Sequence, residues 1–355
     1  MDIFDKPVNV RQGEELDSAK VYEFLMDTVE GLSGEITIQQ FPSGFSNLTY
    51  LISIGNRGLI LRKPPFGSKV KSAHDMGREY RILSSLKSVF PYCPQPLVYS
   101  EDLTVMGSPF LVMERINGII LRKDLPEGLV FSPDEARQLC ENLLDVHCRL
   151  HSIDYKRIGL ESLGKPAGYV SRQVKGWTAR YNAARTPDAP GFETVTEWLH
   201  EKMPPDFSRP AIIHNDYKFD NVVLKADNPK EIIGVLDWEM ATIGDPLMDL
   251  GNSLAYWVEQ DDSAKALAIR MMPTNIPGAL KRSEIIRYYE RTAGITIDNI
   301  DFYRCFGLFR LAVIAQQIYY RFYHGQTTDP RFERLIMSVK TYEEEAAQII
   351  EKSDL

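Results

Sequence analysis

In the run Ile212-Ile213-His214-Asn215-Asp216-Tyr217-Lys218-Phe219-Asp220-Asn221-Val222-Val223-Leu224, two apolar stretches enclose a polar loop with the spacing His-x-Asp-x-x-x-x-Asn. A further apolar run, Ile232 to Leu236, ends at Asp237-Trp238-Glu239. These are the side chains of proton transfer and oxygen ligation: carboxylates, an amide, an imidazole and, at Lys218, an ammonium group. Taken singly, Asp and Asn between two strands are ordinary turn residues, because their side chains bond to their own backbone. Taken together, with Asp237 closing the next strand, they form a spaced set whose register the turn explanation does not cover.

The set resembles the catalytic loop and metal-binding aspartate of kinase-like phosphotransferases. The resemblance implies that Asp216 meets a substrate hydroxyl, that Asn221 and Asp237 hold magnesium on ATP, and that Lys218 contacts phosphate. An unperturbed Asp is a weak base near neutrality, but a hydroxyl whose acidity rises as the O–P bond forms does not need a strong one.

A chain of 355 residues is long enough for two lobes, each with its own core. Hydrophobic content of 44% and charged content of 25% are those of a soluble globular protein. A formal net charge of −8 offers no general attraction to nucleic acid or to an anionic membrane. Cys93, Cys140, Cys148 and Cys305 make no Cys-x-x-Cys pair and read as free thiols of a reducing compartment. The stretch MDIFDKPVNVRQGEELD carries acids and lacks the apolar core of a signal peptide. The most apolar late segment, Leu308 to Tyr320, is broken by Arg310, Gln316 and Gln317, short of the roughly 18 apolar residues of a membrane helix. A cytoplasmic protein with no membrane and no nucleic-acid partner is expected.

The elements that must position the loop can be read in order. Ser18 to Val29 has apolar residues at helical spacing. Ile36 to Ile38 and Thr49 to Ile54 read as strands joined through Phe41-Pro42-Ser43-Gly44-Phe45-Ser46-Asn47, a turn whose backbone N–H groups could lie over phosphates, as could those of any hairpin. Gly44, Ser46 and Asn47 are the candidates there. A third strand ends in Arg62-Lys63 before two prolines. Neighbouring strand residues face opposite ways, so one of the two cations can grip nucleotide phosphates; Arg62 is favoured, with Glu79 on the helix Met76 to Leu86 as its partner. Phe110 to Met113 runs into Glu114-Arg115-Ile116, expected as a hinge where the Glu114 carbonyl and the Ile116 amide meet adenine.

Ser132-Pro133-Asp134-Glu135 is a helix start with cap, proline and acids in order. His147 and His151 stand four apart on that helix, a zinc-like spacing, but without a Glu between them a packed, hydrogen-bonded His151 is expected. Residues 155–210 read as a helical insertion. No long segment ending in Ala-Pro-Glu follows Asp237, which favours a small-molecule acceptor over a protein. Helices are expected around 280–293, 300–323 and 331–351. In the second of these, Arg310, Gln317 and Arg321 recur on one face; each could simply pair with an acid elsewhere in the lobe, but taken with the family resemblance given below the face makes an anionic acceptor the expectation.

Across nearly its whole length the chain resembles the aminoglycoside phosphotransferase and choline kinase superfamily. His214, Asp216, Asn221, Asp237 and Asp245-Pro246…Asp249-Leu250-Gly251 carry the resemblance. Phe45 to Tyr50, Leu61 to Pro65, Ser72-Ala73-His74 with Arg78 to Arg81, and Gln173 with Trp177 are similar to the branch fused in some animal proteins to an acyl-CoA dehydrogenase. The fold implied is α+β and bilobal, protein-kinase-like. It has a small antiparallel-sheet nucleotide lobe over residues 1–114 and a larger, mainly helical catalytic lobe over 115–355. The resemblance implies ATP and Mg2+ as cofactors, 4-hydroxyacyl-CoA as a candidate acceptor, and a separate acyl-CoA dehydrogenase as a pathway partner. Arg62 stands where the antibiotic-modifying enzymes have lysine, which leaves a nucleotide-binding pseudokinase or scaffold as one alternative. An aminoglycoside O-phosphotransferase is the other.

Overall fold

The computed structural model describes residues 7–42, 47–65 and 75–355. Its elements, in order, are α1 (Ser18–Thr28), β1 (Ile36–Gln40), β2 (Leu48–Ile54), β3 (Arg57–Lys63), α2 (Met76–Leu86), β4 (Pro96–Ser100), α3 (Leu103–Met106) and β5 (Phe110–Glu114). There follow α4 (Pro133–His151), α5 (Tyr169–Ala184), α6 (Glu193–Glu201), β6 (Ala211–Ile213), β7 (Val222–Lys225), β8 (Asn228–Val235) and β9 (Thr242–Gly244). The chain ends in α7 (Pro246–Tyr256), α8 (Ala264–Ile269), α9 (Arg282–Ala293), α10 (Ile300–Tyr323) and α11 (Leu335–Lys352). Two units form, one of Met1–Ile120, Lys156–Leu160 and Asn221–Ala241, the other of Leu121–Tyr155, Glu161–Asp220 and Thr242–Leu355. Among the described residues no helix is long and apolar enough to cross a membrane.

The first unit is built on an antiparallel sheet of order β1-β2-β3-β5-β4. Alternation decides its faces. Leu48, Tyr50, Ile52 and Ile54 of β2, with Leu59 and Leu61 of β3, share one core with Val21 and Leu25 of α1. Each such side chain, fully buried, contributes about 1.5–3 kcal/mol relative to exposure. Asp17 starts α1 by accepting from the amides of Ala19 and Lys20, and Asp75 starts α2 by accepting from Arg78. A second antiparallel pair, β7 with β8, aligns Val222 with Val235. It is bridged to Ile119 through Leu224, where Gly118 leaves the room: a Cβ there would stand 2.2 Å from the Leu224 carbonyl oxygen.

In the second unit, α10 is apolar around most of its circumference and is buried over most of its length, as a central helix must be. It packs against α5, α7 and α11. The crossing with α7 is close because both helices present glycine: a Cβ on Gly251 would lie 2.4 Å from the Tyr303 carbonyl oxygen, and one on Gly307 2.5 Å from that of Gly251. A capping box between Ser132 and Glu135 starts α4, and Asp245 caps α7 with Pro246 in its first turn. The short β6 pairs antiparallel with β9 and delivers the chain to His214.

Candidate active site

In the first unit, Arg62 and Lys63 leave β3 on opposite sides. Lys63 lies on the α1 side and donates from Nζ to the carbonyl of Met106, 2.9 Å. Arg62 turns to α2, where Nη1 donates to Glu79 Oε1 at 2.5 Å. Its Nη2 also donates to Asp237 Oδ1 at 2.9 Å and to Glu239 Oε2 at 3.2 Å, and Asn47 Nδ2 donates to the same Glu239 oxygen at 2.6 Å. Burial opposes the charge on Arg62, but Glu79, Asp237 and Glu239 outweigh it and hold its pKa above the ordinary value. Burial, ahead of the relief from Arg62, raises the Glu79 carboxyl.

Asp237 and Asn221 come together through the register of β7 and β8: the amide of Leu236 donates to the carbonyl of Asn221 at 2.8 Å, which sets Asp237 beside the start of β7. Asp237 has φ 64° and ψ 64°, a left-handed conformation that Asp tolerates better than most residues. Arg78 of α2 fixes the following turn by donating to the carbonyls of Glu239 (3.2 Å) and Ala241 (2.6 Å). If ionised, Glu79, Asp237 and Glu239 outnumber the single guanidinium by two charges. The oxygens of Asn221, Asp237 and Glu239 are the hard donors Mg2+ prefers, and the Asp237 side chain is 38% exposed. The residues present fit a divalent cation. Glu114 ends β5 with its side chain paired to Arg57, and the Ile116 side chain rests against Gly234. Gly44 and Ser46 lie outside the described residues.

In the second unit the loop after β6 is held from beneath by Asp249 of α7. Its Oδ2 accepts from the His214 amide (2.7 Å) and its Oδ1 from the Asn215 amide (2.6 Å). His147 and His151 each place Nε2 3.1 Å from Oδ2, and His151 Nδ1 lies 2.6 Å from the Tyr289 hydroxyl. His151 is therefore hydrogen-bonded, as expected from its sequence context. Burial works against the Asp249 charge, yet the hydrogen bonds from His147 and His151 keep its carboxyl well below the usual range. Burial, with His151 alongside, pushes His147 down to about 4, so its imidazole is neutral at pH 7. Tyr217 stacks on His147 at 4.1 Å and donates to the carbonyl of Leu143 at 2.8 Å. Asn215, at φ 65°, is set in the left-handed region by this anchoring.

Asp216, carried by this loop, has a donor on each oxygen. Lys218 Nζ reaches Oδ2 at 2.8 Å and the Tyr256 hydroxyl reaches Oδ1 at 2.9 Å. Lys218 also lies over the Tyr256 ring, 4.5 Å from its centroid. Burial would raise Asp216, but Lys218 first and Arg310 next draw it below the ordinary carboxylate value. Lys218 in turn stands 3.5 Å from Asp220.

Tyr256 and Glu239 were not among the residues singled out from the sequence. Tyr256 follows Asp249 by seven residues, two helical turns, and so shares its face of α7. Glu239 is the next acid after Asp237. Of the three residues read as one acceptor face, Arg310 is buried and stacked on Trp177 at 5.3 Å, whereas Gln317 and Arg321, about two and three turns further, are exposed.

Residues 37–274 match the phosphotransferase enzyme family (APH). Mouse acyl-CoA dehydrogenase family member 10 is 37% identical over 298 residues, which are 83% of this chain and 27% of that protein; the chain spans about a quarter of that relative. A crystal structure from Ralstonia eutropha, classed with the aminoglycoside phosphotransferases, superposes with TM-score 0.81 at 27% identity, covering 96% of this chain and all (100%) of the other. The GDP and kanamycin complex of APH(2'')-IIIa superposes with TM-score 0.61 at 16% identity over 92% and 98% of the two chains. At that identity the likeness is one of fold, α+β and kinase-like.

Proposed function

The chain belongs to the phosphotransferase enzyme family, and on that premise we propose that it transfers the terminal phosphoryl group of ATP to a hydroxyl of a small, anionic molecule. The observation that carries this reading is the state of Asp216: a half-buried carboxylate kept ionised by Lys218 and Arg310 and fixed through both oxygens. Such a group can orient an acceptor hydroxyl and receive its proton late in the transfer. Asp249 positions it by holding the amides of His214 and Asn215.

Arg62, braced by Glu79, is assigned to the nucleotide phosphates together with Asn47; Gly44 and Ser46, outside the described residues, keep the same assignment on sequence grounds. Glu114 and Ile116 are assigned to adenine through their backbone. Asn221 and Asp237, with Glu239, would hold Mg2+, whose charge when bound neutralises phosphate oxygens and stabilises the leaving group. A hydroxyacyl-CoA is one candidate acceptor, with Arg310, whose charge acts on Asp216, on the cationic side of its site and an acyl-CoA dehydrogenase as pathway partner.

Nucleotide binding without turnover is the second reading. It is favoured by Arg62, whose guanidinium is already engaged by three carboxylates. ADP release from ATP, measured against a panel of hydroxy acids, hydroxyacyl-CoA thioesters and kanamycin, with Mg2+ and with chelator, separates the two. Acceptor-dependent, Mg2+-dependent release supports the kinase. Tight ATP binding with no release under any acceptor supports the second reading, and robust turnover with kanamycin alone overturns the anionic acceptor.

A further inference from the structure

The second unit contains a small cavity of about 20 Å³ whose wall includes Tyr256, the hydrogen-bond partner of Asp216. Three arginines line it, and they are not equivalent. Arg282 is saturated: its Nη1 and Nη2 bind the two oxygens of Asp262 at 2.6 and 2.5 Å, and Nη1 also donates to the Trp257 carbonyl at 2.7 Å. Arg270 donates to the Lys123 carbonyl and, at 2.5 Å, to Asp124. Arg304, on α10, has neither an ion pair nor a hydrogen bond among the described residues, and its Nε is buried without a partner. Arg304 as a whole is half-buried, and a cation at the edge of a cavity with no ion-pair partner favours an anion there. Burial, followed by the nearby charge of Arg282, depresses its pKa.

The rest of the lining includes apolar Leu254, Ala266 and Leu308, the hydroxyls of Thr341 and Tyr342, and Asp262, whose carboxylate is taken up by Arg282. Glu345 also lines the cavity and is the largest acidic influence on Arg304, but the two do not form an ion pair. It accepts a long hydrogen bond, 3.4 Å, from the Ser263 hydroxyl. A volume of this order admits one water-sized group. That suits the end of a carboxylate and is too small for a phosphate.

We propose that this cavity receives the carboxylate of the acceptor, with Arg304 as its cationic partner, so that the acceptor is a free hydroxy acid. The assignment rests on the reading of Asp216 as the group that meets the acceptor hydroxyl. It also gives Tyr256 a place between the two ends of the substrate: the residue lines the carboxylate pocket and its hydroxyl donates to Asp216. Within the anionic acceptors it selects the free acid over the CoA thioester, which has no free carboxylate to offer.

Two measurements keep this assignment separable from the kinase reading. The first is a ligand-observed NMR titration of the full chain with butyrate, an unreactive carboxylate. Wild type binds it, Arg304→Gln weakens binding roughly 10- to 100-fold, as loss of a charged hydrogen-bonding partner does, and Arg304→Lys falls between. Glu345→Gln, which removes the competing acid, tightens it. Butyrate that does not bind wild type, or binds Arg304→Gln equally well, overturns the proposal, as does a loss in Glu345→Gln as large as that in Arg304→Gln. The second is ADP release with 4-hydroxybutyrate, its methyl ester and its CoA thioester. The free acid is expected to be the substrate, with its KM raised in Arg304→Gln and the KM for ATP unchanged. Turnover of ester or thioester at the rate of the acid overturns the proposal while leaving the kinase intact; Arg304-dependent butyrate binding with no turnover of any hydroxyl compound supports the cavity and sinks the kinase. Thermal melting checks that each variant is folded, and Arg304→Lys carries the test should Arg304→Gln not fold.

Discussion

Replacing Asp249 by Asn changes one atom and tests how the catalytic loop is held. The carboxylate accepts from two backbone amides, one on each oxygen, and from two imidazoles. Histidine can exchange tautomers to suit an amide, but a backbone N–H cannot reverse its role. Whichever way the Asn amide is turned, either His214 or Asn215 faces an NH2 group. A buried donor left unsatisfied costs about 1–3 kcal/mol, and hydrogen bonds to a charged acceptor are each worth about 1.5–3 kcal/mol against roughly 1 for neutral ones. The expected loss is about 3–5 kcal/mol, concentrated where Asn215 is held at positive φ. Urea denaturation of wild type and Asp249→Asn measures it, and hydrogen exchange at residues 214–217 localises it. A change below about 1 kcal/mol, with exchange in the loop unaltered, would refute the view that Asp249 is what anchors it.

Arg62→Ala should cost about 3–5 kcal/mol, since it strands the buried Glu79, and should weaken ATP binding. Lys63→Met, which loses the hydrogen bond to the Met106 carbonyl, should weaken ATP binding less than Arg62→Ala does; calorimetry showing the reverse order for ATP would exchange their roles. Asp237→Ala is expected to weaken Mg-ATP binding far more than binding of ATP with chelator present, and an equal effect on both would remove it from the metal set. Because His147 titrates near 4 when folded and near 6.5 when unfolded, the unfolded state binds more protons between those values. Stability should therefore fall as pH drops through that window, by about 3 kcal/mol at 1.36 kcal/mol per pKa unit. The depressed Asp249 adds a further loss only below its ordinary value near 3.8. A His147→Gln variant that keeps the whole of the wild-type slope between pH 6.5 and 4 would contradict the assignment.

The helix and strand boundaries were legible where local rules agree: α2 begins at an Asp cap and carries the expected Glu79, and the alternation of β3 separates Arg62 from Lys63. The loop from His214 to Asn221 was legible as a polar turn between two strands because its residues are contiguous. What supports it was less so. Asp249 meets His214, His147 and His151 across about 35 and 100 positions of sequence, and such pairings depend on how α4 and α7 pack, which periodicity does not state. Tyr256 carried a helical-spacing signal relative to Asp249, but an aromatic at that spacing reads as core. On α10, spacing put Arg310, Gln317 and Arg321 on one face without saying that the first is inside and the others emerge into solvent. Arg304 was visible only as one more arginine; its unpaired state is a property of the packing.

The central claim is that Asp216 receives the acceptor hydroxyl. Its most direct test is single-turnover transfer of the terminal phosphate of radiolabelled ATP to an acceptor found in the hydroxyl panel, in wild type and in Asp216→Asn, which keeps the shape and removes the charge. Transfer should fall by roughly three or more orders of magnitude, with ATP affinity and folding retained. Transfer in Asp216→Asn at a rate within about tenfold of wild type would contradict the account.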